Sequence, residues 1–495
     1  MNRRGFIKLA AVSPLAAATA PTSQTSQTSQ TLSFDVAVIG GSTTGVFAAV
    51  RAAEKGMKVA LVENNALFGG TATAGFVPVW HSMQSLDGSK AIIGGLTKTV
   101  LDRLAARGEA VTHNENKIPV WRTSSLNVAA LSIALDELVT ENPSITPMLS
   151  TRFVAAATDR PGHVTRAYVE DKDGRKALEA KFFIDCSGDA DLLERAGFRT
   201  WKLKPCDMQA HTLCAIVANE TAVKKRHPDF SFHAVLDPRN GGGFRHVFGW
   251  DHAVIGCPDV TFNAFTRVPD LDPSVAGDLT RAMLEARAQL RRIIDHANRL
   301  FPMPPDEPKL AIVSIAPMLG IRESRHVKCL YSVTRDDVLS GRTYDDVIAR
   351  GTYRIDVHEG KGIRFLNLDG TENLMYVNGA GIVRWKNSRW RAEGTPSPEC
   401  YSIPYRAIVP AGSENVLCAG RMLDCSRDAY GALRVMVNCN RFLLSVTQIR
   451  EHLPLQELIS SSQSRKCPSE ADRRRSPNEN RYRRAIHSAL LRWRL

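Results

Sequence analysis

The stretch from Asp35 to Glu63, DVAVIGGSTTGVFAAVRAAEKGMKVALVE, constrains the fold more than any other part of this 495-residue chain. Val36 to Ile39 is a short β-branched apolar run of the kind that forms a buried strand. Gly40-Gly41-Ser42-Thr43-Thr44-Gly45 follows, a turn able to bring bare backbone against a ligand. Val46 to Lys55 predicts a helix ended by Gly56, and Lys58 to Val62 predicts a second strand with Glu63 at its tip. Strand, turn, helix and strand in one window make a βαβ unit suited to a dinucleotide. The helix start offers unpaired N–H groups and a positive dipole end to a pyrophosphate. A carboxylate about 20 residues downstream takes ribose hydroxyls as donors, and Glu63 stands 23 residues after Gly40. The same carboxylate would repel a 2′-phosphate, which disfavours an NADP-type ligand. Ser42 replaces the middle glycine of G-x-G-x-x-G.

Composition enters through charge and cysteine. With 43% apolar and 23% charged residues the chain has the balance of a soluble globular protein. Its net charge is +13, but residues 440–495 hold 12 Lys/Arg against five Asp/Glu, leaving +6 for everything before them. The basic character is therefore largely a property of the tail. No basic stripe interleaved with aromatics runs through the main body, so nucleic acid is not an expected partner. No two of the ten cysteines are separated by only two residues. Neither a redox C-x-x-C nor an ordinary zinc or iron–sulfur ligand set is visible, and no metal is expected.

Residues 1–20 read as a targeting segment. Asn2-Arg3-Arg4-Gly5-Phe6-Ile7-Lys8 resembles the twin-arginine export signal, and Leu9 to Ala20 is a small-residue apolar run interrupted by Pro14. That run is shorter than the roughly 20 residues of a membrane span. The expectation is an exported, periplasmic or extracytoplasmic protein handled by the twin-arginine machinery, with no stable membrane span; the competing interpretation is a disordered basic N-terminus. TSQTSQTSQT then predicts a flexible linker over 21–32.

Beyond Glu63, Phe68-Gly69-Gly70-Thr71-Ala72-Thr73-Ala74-Gly75 is too rich in small residues for an ordinary helix or strand and suits backbone lying close to a flat ligand. Leu96 to Ala106 and Val128 to Val139 carry helical patterns. Residues 151–184 predict a three-stranded meander, Arg152 to Thr158, Val164 to Glu170 and Leu178 to Ile184, broken at Pro161-Gly162 and Asp173-Gly174. The last strand runs into Asp185-Cys186-Ser187-Gly188-Asp189-Ala190-Asp191, carboxylates beside a glycine where ligand hydroxyls or a metal could bind.

The βαβ unit, the GGTATAG turn and the IDCSGDADL strand end together resemble the FAD-dependent oxidoreductases of the glutathione-reductase-like superfold, in particular exported bacterial flavoproteins related to heterodisulfide reductase. Two later stretches extend the resemblance to about residues 33–439: Gly320-Ile321-Arg322-Glu323-Ser324-Arg325-His326 with the segment after it, and Ser402-Ile403-Pro404-Tyr405-Arg406 followed by Asn415-Val416-Leu417-Cys418-Ala419-Gly420-Arg421. The resemblance implies an α/β, Rossmann-like FAD-binding domain in two parts, 33–199 and 396–439. A β-meander belongs to the first part, and an α+β cap, 200–395, is inserted between the two. It implies that Gly40, Gly41, Ser42, Thr44 and Gly45 cradle the FAD pyrophosphate, with Glu63 on the ribose. Gly69, Gly70 and Thr71 would lie along the flavin side, Gly188 and Asp189 would meet the FAD linker, and Gly420, Arg421 and residues 431–434 would close over the flavin.

For such a protein the flavin carries the electron chemistry and the chain supplies orientation, charge and a proton donor or acceptor to a small organic substrate. Arg325, His326 and His358 are the catalytic candidates: a guanidinium for an anion and two imidazoles that titrate near neutrality. His211 has a similar claim. Arg322 and Arg325 flank Glu323, so an internal ion pair competes with substrate binding. The electron acceptor is unspecified, and a non-catalytic flavin protein or an NAD-dependent dehydrogenase are the alternative readings. The tail, 440–495, departs from the family. After Arg434-Val435-Met436-Val437-Asn438-Cys439 the expected Gly/Ala-rich helix gives way to a bulkier and then polar, basic sequence, read as partly disordered and a threat to flavin affinity.

Overall fold

The structure, a computed structural model, describes residues 30–113, 123–244, 246, 248–359, 362–378 and 383–442. The expected export signal, most of the expected linker and the tail beyond Phe442 lie outside the described residues.

Strand β1 (Gln30–Ile39), helix α1 (Thr43–Ala53) and strand β2 (Val59–Val62) form the expected βαβ unit. β1 pairs in parallel with β2 in the register Val38↔Leu61. Two corrections apply to its edges. β1 begins at Gln30, with Gln30 opposite Lys176, so residues 30–32 belong to the sheet and not to the linker. A backbone ladder holds them, which the polarity of their side chains could not reveal. Helix α1 begins at Thr43, three residues earlier than its apolar pattern suggests, because the Ser42 hydroxyl caps it by accepting from the Gly45 N–H at 3.3 Å. Close approach requires the first and last glycines of the turn: a Cβ on Gly45 would lie 1.9 Å from the Gly40 carbonyl oxygen, and one on Gly40 would strike the Cys186 backbone at 2.4 Å.

Helices α2 (Leu96–Ala106) and α3 (Val128–Thr140) follow the sequence pattern, and α3 buries Leu131, Leu135 and Leu138. Strand β3 (Ile145–Met148) extends the parallel sheet beyond β2. The meander is β4 (Arg152–Arg160), β5 (His163–Asp171) and β6 (Gly174–Asp185). β6 serves two layers. Its first half pairs antiparallel with β5, and Lys176 to Asp185 run parallel to β1. Its last three residues pair in parallel with a strand from the end of the chain, Val416–Cys418. The resulting mixed sheet has the order β3-β2-β1-β6-β5-β4, with Val416–Cys418 joined to β6. The carboxyl ends of β1, β2, β3, β6 and Val416–Cys418 therefore share one edge, where open α/β sheets hold their ligands.

Between β6 and Val416–Cys418 the described residues form two four-stranded antiparallel sheets, besides two two-stranded pairs. The first orders β8 (Asp251–Val254), β9 (Cys257–Asn263), β7 (Ala215–Ala218) and β10 (Ala311–Ile315) side by side, with helix α4 (Ala276–Leu300) against them. The α4 stripe packs as its spacing predicts: Ala286, Leu290 and Ile293 are buried, and Leu279 and Met283 partly so. The second is a four-strand meander, β11 (Ile355–Glu359), β12 (Gly362–Leu366), β13 (Thr371–Val377) and β14 (Val383–Arg389). Part of the expected 200–395 insertion is not separate from the core of the β1–β6 sheet. Val327, Val333, Val338, Ile355, Val357 and Leu366 are buried in the same hydrophobic cluster as Val36 and Ile184. Helix α5 (Arg427–Leu433) enforces the contact by lying on β11, where a Cβ on Gly431 would come within 2.6 Å of the Asp356 carbonyl oxygen. Among the described residues no helix is long and apolar enough to cross a membrane.

Candidate functional site

The sheet's carboxyl edge brings together every cofactor candidate named from the sequence. Gly69 pairs with Ser42 in an isolated parallel bridge, its N–H donating to the Gly41 carbonyl at 2.8 Å. Gly70 to Ala72 then form a single 3₁₀ turn that includes Thr71. A Cβ on Gly70 would stand 3.1 Å from that of Ser42, so the two loops meet through small groups only. The first-turn amides of α1 have no acceptor within the helix, and Ser42 satisfies the one at Gly45. The amides of Thr43 and Thr44 open the same turn, with both side chains buried.

Glu63 is 6% exposed and its carboxylate is already engaged. One oxygen accepts from the Gly41 N–H at 2.7 Å, and the other from the N–H and Nδ2 of Asn65 at 2.8 and 2.6 Å. Burial pushes its pKa up, against the pull of the backbone donors at Asn65 and Gly41. Glu63 thus braces the glycine turn, a role the spacing did not reveal. Across the edge, Asp189 accepts from Ser324 Oγ and from Arg421 Nη2, both at 2.5 Å. The Arg421 guanidinium lies where a Cβ on Gly188 would be, 2.4 Å away, and its Nε is buried without a partner. Gly420, at φ +128°, makes the turn that carries Arg421 there. Asp185, just upstream, is buried and its pKa is raised to about 6 by loss of solvent, although Ser187 and the Leu193 N–H hydrogen-bond to it. Open helix amides, a glycine-lined crevice and a buried guanidinium with an unused donor fit an anionic dinucleotide such as FAD.

The catalytic candidates separate. Arg325 is tied to the carbonyl of Asp189 at 2.8 Å, to Asp191 at 3.1 Å and to the Ser274 carbonyl at 3.2 Å, so it fastens the loop after β6 to the segment before α4. His326 is 1% exposed, stacked on Trp201 and edge-on to Tyr430. Its nitrogens face Glu323 at 3.2 Å and the Leu423 carbonyl at 3.3 Å. That is a packed position, without an opening for proton exchange. Nor does Glu323 pair with its flanking arginines: it takes the Gln209 N–H and His326, while Arg322 donates to the Ala210 carbonyl and Thr212 Oγ1.

His358 lies in a different setting. Arg267 Nη1 stands 3.2 Å from its Nδ1, and its Nε2 is 3.1 Å from Asp356 Oδ1. A guanidinium can only donate, so Nδ1 carries the lone pair and Nε2 the proton. Burial, followed by the opposing effects of Asp356 and the guanidiniums of Arg322 and Arg267, brings its pKa down to about 3, and the ring is neutral near pH 7. Burial alone would raise Asp356, but His358, Arg434 and Arg354 hold it well below the usual carboxylate range, and Tyr353 donates to its Oδ2 at 2.9 Å. Arg434 reaches Gln209 Oε1 at 3.2 Å, leaving Arg434 Nε and Gln209 Nε2 buried without partners. Crowding and burial lower Arg267 to about 9 and Arg322 to about 10. Arg434 Nη2 stands 3.7 Å from Asp356 Oδ2, and the charges of Arg267, Arg322 and Arg354 act on the same carboxylate. His211 adjoins this group and the Arg421–Asp189 pair alike; its Nδ1 has no partner and burial lowers its pKa to about 4.

Gln209, Arg267, Arg354 and Asp356 escaped the sequence reading. One signal was available: Arg354, Asp356 and His358 alternate along RIDVH, which puts all three on one face of a strand. Arg267 and Gln209 carry no local signal, because only tertiary contacts bring them in.

A family described as FAD dependent oxidoreductase matches residues 35–442. No curated protein matches the chain. Among solved structures, the p-nitrophenol 4-monooxygenase PnpA from Pseudomonas putida DLL-E4 is similar at 14% identity, over 61% of this chain and 71% of that one, with a TM-score of 0.39. A geranylgeranyl bacteriochlorophyll reductase-like protein from Thermoplasma acidophilum is 14% identical over 61% and 68%, with a TM-score of 0.37. The flavin-dependent monooxygenase PieE, solved with FAD and substrate, is 14% identical over 61% and 52%, with a TM-score of 0.33.

Proposed function

Because the chain belongs to the FAD-dependent oxidoreductase family, we propose that it oxidises or reduces a small organic substrate whose reacting oxygen sits among Arg322, Arg434 and His358. The observation that carries this reading is the surplus of buried guanidinium charge beside Asp356, with Arg434 Nε and Gln209 Nε2 left unpaired. Bound FAD supplies two-electron transfer. Arg322 and Arg434 would hold a carboxylate or an oxygen on which negative charge develops, inside a dry site where such contacts are strong. Neutral His358 would take a proton at Nδ1 once Arg267 shifts toward the substrate, while Asp356 fixes the ring's tautomer.

A glutathione-reductase-type FAD domain and export through Arg3-Arg4 belong to the same proposal; the βαβ unit with its meander supports the first and the short apolar run after Lys8 supports the second. A flavin-release assay on the purified chain, then a substrate screen read by bleaching of the flavin band, tests the enzyme reading. Arg322→Met is expected to keep flavin and lose about 10²–10³-fold in turnover, the scale of removing one preorganised charge donor. A flavin-loaded protein that no substrate class bleaches would favour the non-catalytic alternative.

A further inference from the structure

We infer that the outer, exposed part of one face of the β11–β14 sheet is a saccharide platform, a subsite for the substrate of the reaction proposed above; the inference rests on that reading for its link to catalysis but not for binding. The strand registers lay out the face. Asp356, Phe365, Asn373 and Asn387 form one row across the four strands, and His358, Ile363, Met375 and Trp385 form the next. Directly opposed residues of antiparallel strands point to the same side. The sheet that carries Asp356 and His358 at its inner edge therefore carries Asn387 and Trp385 at its outer edge, about 14 Å away across three strand spacings.

Over the outer part of this face lies a cavity of about 590 Å³, within the range of ligand sites. Its floor is flat and aromatic. Trp385 is 56% exposed, unusual for so large a ring, and lies stacked with Phe365 at 6.5 Å and 15° between planes. The Arg354 guanidinium covers Phe365 at 3.6 Å and forms the wall nearest Asp356. Part of the remaining lining is a ladder of planar amides: Asn367 Nδ2 donates to Asn373 Oδ1 at 2.9 Å, and Asn373 Nδ2 donates to Asn387 Oδ1 at 3.0 Å. The ladder is open at one end. Asn367 is 3% exposed and its Oδ1 has no partner, a buried acceptor that a ligand hydroxyl would satisfy.

These features select a ligand with an apolar flat face and hydroxyl groups around its edge. A pyranose ring presents C–H groups to the exposed Trp385 ring and hydroxyls to the amides, Asp369 and Arg389. A lipid would leave Asn367 Oδ1 unpaired. A phosphate would meet Asp369 and would not use the rings.

The test is direct binding to the flavin-loaded full chain, read by tryptophan fluorescence and calorimetry, with cellobiose, maltose, xylobiose and digalacturonate as probes and a glycan array for breadth. Adenosine serves as the control for simple stacking. Saccharide binding is expected, weakened at least tenfold by Trp385→Ala and by Asn373→Ala, with flavin content unchanged because neither residue touches the sheet edge that holds the dinucleotide. No saccharide bound above the Trp385→Ala level, or adenosine bound as tightly as any sugar, would overturn the inference. Neither measurement involves turnover. Binding without bleaching would keep the platform and reject the oxidoreductase role proposed for its occupant, and bleaching by a non-saccharide that ignores Trp385 would do the reverse.

Discussion

At the scale of single residues, two buried carboxylates govern how the cofactor edge responds to change. Glu63 binds the Gly41 amide and Asn65 with one oxygen each. Glu63→Lys would place a cation against an N–H donor and beside the α1 dipole, so the variant is expected to purify without flavin, a loss read as the ratio of flavin to protein absorbance. Asp185 gives a pH prediction. Its pKa rises from the ordinary 3.8 to about 6 on folding because burial penalises the charge. The folded state thus holds the proton more tightly than the unfolded chain. The stability Asp185 contributes is full below about pH 3.8 and fades as pH rises through about 6. Thermal unfolding between pH 4 and 6.5 should show this decline, and Asp185→Asn should flatten it. Unchanged pH dependence in the variant would show that another group is responsible.

At the scale of elements, the contact of α5 with β11 is what joins the cofactor side to the His358 side. Gly431 allows the helix to lie directly on the backbone of Asp356, with no room for a Cβ. Gly431→Val forces helix and strand apart, an overpacking change that costs about 1–3 kcal/mol. It should also displace Arg434, which caps the helix and reaches Gln209 and the Asp356 carbonyl. Lower thermal stability together with a raised KM is the expected pair of effects; a lower melting temperature with unaltered kinetics would mean that the helix position does not set the substrate site. The α1 start shows the same dependence on a local detail, since Ser42→Ala removes its cap at a cost of about 1 kcal/mol.

At the scale of the whole molecule, the two ends of the described chain lock together. Thr43 Oγ1, in the first turn of α1, donates to Asn440 Oδ1 at 2.7 Å across 397 residues of sequence, and Phe442 is fully buried in the main core. The return segment thus extends past Cys439, where the sequence pattern lost its resemblance to relatives. Phe442→Ala should cost about 3–5 kcal/mol and release flavin at a lower temperature than the parent, followed by flavin fluorescence during heating. Coincident unfolding of protein and release of flavin would fit one cooperative body, and early release alone would locate the damage at the α1 turn.

Much of this was written locally. The βαβ unit, the meander, α2 and α3 were legible because strand and helix periodicities and their glycine stops are properties of short windows. The proximity of the cofactor candidates at one sheet edge was legible because their glycines and small side chains stand at the ends of strands. What the windows could not hold is who meets whom. The ladder that draws Gln30 into β1, the structural partners that occupy Arg325 and His326, and the gathering of Arg267, Gln209 and Arg434 around His358 all depend on contacts between distant segments. Burial and hydrogen-bond partners, which only the tertiary structure assigns, decide whether an arginine or histidine is a brace or a site.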